Sequence, residues 1–67
     1  MMGKDFNKPE NLTKKLASDL EKRAYFFAEL LKKYSQVEYR FFLQAWSELR
    51  KNYSMERDEE GRYLIEN

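Results

Sequence analysis

The chain has 67 residues, with 13 basic against 12 acidic side chains, and it contains neither Cys nor His. These absences exclude a disulfide and a thiolate metal site, and they remove the commonest metal ligand and general base. A net charge of +1 gives no long-range attraction to nucleic acid or anionic membrane, and a domain this small buries only ~60% of the surface its unfolded chain exposes.

Residues 1–7 read as a leader. Phe6 precedes the cap candidate Asn7, as a hydrophobic staple would, and Pro9 and Glu10 suit a first helical turn. They predict a first helix over about 8–34. At ~100° per residue, Leu12, Leu16, Leu20, Phe27, Leu30, Leu31 and Tyr34 fall on one side. Phe26, Ala17, Ala24 and Ala28 widen that stripe to about 180°, against the ~100° of an ordinary surface helix.

Tyr34-Ser35-Gln36-Val37 divides the helical region. The apolar stripe changes phase across it, and Ser35 with Glu38 has the spacing of a capping box. A second helix is predicted over about 36–53. Tyr39, Phe42, Trp46, Leu49 and Tyr53 form its stripe, with Leu43, Phe41 and Ala45 on the flanks. Arg40, Gln44, Ser47 and Lys51 define its wet face.

Residues 54–67 form an accessory tail. Its acidic centre with Gly61 suits a small hairpin of Met55–Arg57 with Arg62–Leu64. A short helical turn after Ser54 and an extended tail docked by Tyr63, Leu64 and Ile65 are the alternatives. An isolated two-stranded hairpin is marginal in water, so each form must lean on the helices.

The expected fold is therefore all-α and a single domain: an antiparallel helical hairpin with a short tail, pairing into a four-helix homodimer. That plan resembles the plasmid copy-control hairpins that dimerise into four-helix bundles. The dimer centre would hold Leu16, Leu20, Phe27, Leu31, Phe42, Trp46 and Leu49. No apolar run nears the ~20 residues of a membrane span, and Met1–Phe6 lacks the apolar core of a signal peptide. Cytoplasmic residence is the expectation.

The paired aromatics Phe26-Phe27 and Phe41-Phe42 exceed what one helical seam can bury, because neighbours on a helix point ~100° apart. Excess apolar surface usually marks binding. Phe26, Phe41 and Trp46 are accordingly candidate protein-interface residues. Arg23 joins them as a charge inside the apolar arc; it snorkels to the edge, pairs with Asp19 one turn earlier, or meets a partner's acid. The structural alternative is that the leader and tail cover the excess.

Lys14, Lys15, Lys22, Lys32, Lys33, Arg40 and Lys51, with Tyr25 as a stacking platform, are the alternative nucleic-acid contacts. Glu21 and Glu29 interrupt that basic surface. The acidic run of Glu56, Asp58, Glu59 and Glu60 lacks a calcium-loop pattern, and no phosphate cradle or nucleophile–base pair is visible. The sequence thus predicts a non-enzymatic regulatory or protein-interaction module with no cofactor, metal or small-molecule substrate. A nucleic-acid-binding regulator is the alternative, and a structural subunit of a larger assembly the next.

Overall fold

The computed structural model describes the backbone of residues 9–66 and the side chains of residues 11–66. Phe6, Asn7 and Glu10, and with them the staple and cap expected there, lie outside the described side chains. Among the described residues three helices and a hairpin follow one another: α1 (Pro9–Lys22), α2 (Phe27–Lys33), α3 (Tyr39–Asn52), β1 (Met55–Arg57) and β2 (Tyr63–Ile65). Among the described residues, no helix is long and apolar enough to cross a membrane.

The single helix expected over 8–34 is two helices. Arg23 N–H makes a last helical bond to Asp19 C=O, and the chain then extends through Tyr25. Tyr25 pairs with Tyr63 in both directions: its N–H donates to Tyr63 C=O at 2.9 Å, and Tyr63 N–H donates back at 2.6 Å. A helical residue has no backbone groups left for such a bridge, so pairing with the tail and continuing the helix exclude each other. Phe26 remains extended, and α2 starts after it. The Glu29 carboxylate accepts the Phe26 N–H at 2.8 Å, which is the acidic half of a capping box without its Ser or Thr.

The turn expected at Tyr34–Val37 is present, closed by Val37 N–H to Tyr34 C=O at 3.0 Å. The Ser35–Glu38 capping box is not. Glu38 is itself the cap of α3, and no side chain caps that end. The helix therefore begins at Tyr39 rather than near 36.

Of the three forms open to the tail, the hairpin is the one observed, with β2 one residue later than expected. Met55 faces Ile65, Glu56 faces Leu64 and Arg57 faces Tyr63 in an antiparallel pair. Gly61 takes φ +91°, a conformation that L side chains resist. Asp58 organises the tip. Its carboxylate accepts the backbone N–H of Glu60 at 3.0 Å and of Arg62 at 2.8 Å, and also Arg62 Nε at 2.9 Å.

The hairpin leans on the body as a marginal pair of strands must. α1 packs chiefly on α3 and then on β2. Leu12, Leu16, Ala17 and Leu20 of α1 meet Leu30 of α2, Phe42, Ala45, Trp46 and Leu49 of α3, and Ile65 of β2 in one core. Thr13 is buried with them, its hydroxyl donating to Ala45 C=O at 3.3 Å. Trp46 is the aromatic hub. Its ring meets Phe27 edge-on at 4.9 Å, stacks on Phe42 at 6.2 Å and meets Tyr63 edge-on at 5.0 Å.

The protein is thus mostly helical, with a small two-stranded sheet where the tail or small hairpin is expected. Leu16, Leu20, Phe42, Trp46 and Leu49, expected at the centre of a dimer, are buried within one chain. The Tyr25 bridge predicts its own test. Tyr25→Pro removes the donor to Tyr63 and should cost ~0.5–1.5 kcal/mol more than Tyr25→Ala, the net contribution of one backbone hydrogen bond. Thermal melts of the two variants compare directly, and equal melting temperatures would show that the bridge adds nothing.

Candidate nucleic-acid interface

The outer surface of α3 follows from what its inner surface buries. Phe42, Ala45, Trp46 and Leu49 face the core. At ~100° per residue, Arg40, Gln44, Ser47 and Lys51 centre almost directly opposite them. All four are exposed, and none has a hydrogen-bond or ion-pair partner among the described residues. Tyr39, Leu43 and Arg50 lie along one flank, with Tyr39 58% and Leu43 41% exposed. The first turn of α3 carries no acid, and its last turn carries Arg50 and Lys51. Glu48, on the other flank, accepts a long 3.5 Å bond from Asn52. The stripe is therefore cationic and polar, and its side chains are free to meet something.

The other expected contacts divide into exposed groups and groups held by a neighbour. Lys14 and Lys22 on α1 and Lys32 on α2 are exposed, as is Lys15. Lys33 is held by Asp19 at 3.0 Å, and that bond raises its pKa above the ordinary lysine value. Asp19 also accepts the Tyr34 hydroxyl at 2.5 Å. Burial first, and that bond second, push the Tyr34 phenol upward. Tyr25, expected to be an exposed platform, is half-buried on the bridge and covered by the Arg23 guanidinium 3.7 Å from its ring centre.

Arg23 in turn is exposed rather than set within an apolar arc. It donates to Ala24 C=O at 2.7 Å and pairs with Glu29 at 3.5 Å, while Asp19 is taken by other groups. The end of α1 at Lys22 swings Arg23 out of the stripe to which an unbroken helix would have assigned it. Of the expected protein-interface residues, Trp46 is core, Phe41 is half-buried and Phe26 is 41% exposed. Phe26 lines an open groove of about 490 Å³ together with Phe27, Trp46, Arg57 and Tyr63.

Two carboxyls sit below their ordinary values. Glu29 is lowered chiefly by the Phe26 N–H, and Asp58 chiefly by the Arg62 backbone N–H. A depressed carboxyl contributes stability above its unfolded value, and that contribution disappears as pH falls through the folded value. The melting temperature should therefore drop as pH falls below ~4. Asp58→Ala should be less stable at neutral pH and lose less on acidification. An acid limb of identical depth in both proteins would remove Asp58 from this account.

Gln44 and Ser47 belong to the stripe as much as Arg40 and Lys51 do. Uncharged residues on a wet face look merely solvated, so a search for cations passes over them. The signal that marks them is register: they fall between two cations at three- and four-residue spacing, with no acid in the row. Among the described residues, no group of acids is placed to hold a metal ion. No family model matches the chain, and neither the curated proteins nor the solved structures contain a match.

Proposed function

We propose that the chain binds double-stranded DNA by laying the outer face of α3 in the major groove. The observation that carries this reading is the Arg40–Gln44–Ser47–Lys51 stripe, exposed and without acids on the second helix of a helix–turn–helix pair. A helix with its side chains is ~10–12 Å across, and the major groove is ~12 Å wide. In helix-turn-helix proteins the second helix occupies that groove while the first crosses the backbone.

The order of elements supports the reading further. A helix, a bridging residue, two helices around a turn, and a hairpin whose second strand takes up the bridge form the plan of a winged helix-turn-helix. Fold-level likeness alone gives no function; the composition of the stripe is what makes the analogy useful.

A net charge of +1 fits a binder with few phosphate contacts. Arg50 and Lys51 at the end of α3 and Lys32 on α2 serve as those contacts. Three of them give a slope of about −2.7 in log affinity against log salt, or roughly 40-fold between 50 and 200 mM. Anisotropy of a labelled duplex measures this. Failure to bind any duplex at low salt discards the reading in favour of a protein partner on Phe26, Tyr39 and Leu43, the large apolar side chains exposed among the described residues.

A further inference from the structure

We infer that α3 is a sequence reader, with Arg40 on a guanine and Gln44 on an adenine about two base steps away. The inference rests on the DNA-binding reading and adds to it the identity of the bases. Arg40 lies in the first turn of α3 and Gln44 one turn later, on the same outward stripe. The two are separated by ~6 Å along the axis at 1.5 Å per residue, against ~3.4 Å per base step.

The chemistry of each side chain selects its base. The guanidinium fork donates two parallel bonds, which match the O6 and N7 acceptors of guanine. The Gln44 amide presents a donor and an acceptor together, which match N7 and N6–H₂ of adenine. Neither side chain is bonded to another described residue, so neither must break an internal contact to turn toward a base.

Ser47 can take either base edge and therefore sets no strict preference. Lys51 lies ~16 Å along the axis from Arg40, where a straight helix is leaving the curved groove. It has a single point charge rather than a fork, which suits a phosphate. The stripe thus divides into a reading half and an anchoring half.

Selection of bound duplexes from a randomised library, using the full chain, tests this. The expected site contains a G, with an A about two positions away. Arg40→Ala should relax the G alone and Gln44→Ala the A alone, each by about 5- to 150-fold in discrimination. Lys51→Ala should weaken every sequence equally. All three positions are exposed, and matching melting curves would confirm that the variants fold. Duplex binding with no enriched site, or a site unchanged by both Arg40→Ala and Gln44→Ala, overturns the inference and leaves DNA binding standing. Binding to no duplex at all overturns both, so the two failures are distinguishable.

Discussion

The double variant Arg40→Ala/Lys51→Ala should bind duplex DNA on the order of 100-fold more weakly than the parent at moderate salt, with its melting curve unchanged. Loss of a base-contacting arginine costs ~1–3 kcal/mol, and loss of a phosphate-contacting lysine lowers the salt slope by about one. Surface substitutions of this kind move stability by only ~0.5 kcal/mol, so a binding defect cannot be blamed on unfolding.

The decisive comparison is Lys14→Ala/Lys22→Ala. Both lysines are exposed on α1, and their removal changes the net charge by the same two units. If the α3 stripe is the contact surface, the α1 pair should alter affinity several-fold at most, through the weak field of the whole molecule. Equal losses from the two pairs would mean that the chain attracts DNA by bulk charge and that α3 has no special place in it. Anisotropy titrations of the three proteins at two salt concentrations separate these outcomes.

The parts of the fold that could be read from the sequence are those fixed by local periodicity. Leu12, Leu16 and Leu20 at four-residue spacing identify the buried side of α1, and Phe42, Trp46 and Leu49 identify that of α3. The turn after Tyr34 follows from the phase change. The break at Arg23–Phe26 is different, because no Gly or Pro marks it. It is set by a partner 38 positions away, the backbone of Tyr63, and a long-range backbone bond leaves little trace in local composition.

One trace is present. The apolar arc of an unbroken first helix is near 180° because it superposes two shorter helices with different phases. Taken as one helix, that breadth implies surface left over for a second copy. Leu12, Leu16, Ala17, Leu20, Phe27, Leu30 and Leu31 face inward from two elements, Phe26 and Ala28 stay exposed, and the tail supplies Tyr63 and Ile65 as further cover. For the candidate site, the wet face of α3 was legible in full, but its meaning depended on which helix follows the turn and what packs behind it.

What packs behind it leads to the largest expected loss of stability. Phe42→Ala should cost ~3–5 kcal/mol. The side chain is 1% exposed, and its ring meets Phe27 edge-on at 5.6 Å and stacks on Trp46 at 6.2 Å. Removing it forfeits transfer energy, leaves a cavity and breaks two aromatic contacts worth ~0.5–1.5 kcal/mol each beyond area burial. At ~0.05–0.15 kcal/mol per residue, a chain of this length has only about 3–10 kcal/mol in total. The loss is therefore comparable to the whole stability, and much of the population should be unfolded at 37 °C. Leu43→Ala, the next residue along, is the control. It is 41% exposed and should shift the denaturant midpoint only slightly. Because Phe42 holds the inner side of the helix whose outer side carries Arg40 and Gln44, its loss should remove duplex binding together with the fold. Leu43→Ala should leave the fold in place, so any effect of that variant on binding reports the groove face itself. Comparable midpoints for the two variants would mean that the burial assigned to α3 is wrong, and the face opposite it would lose its claim to be the outer one.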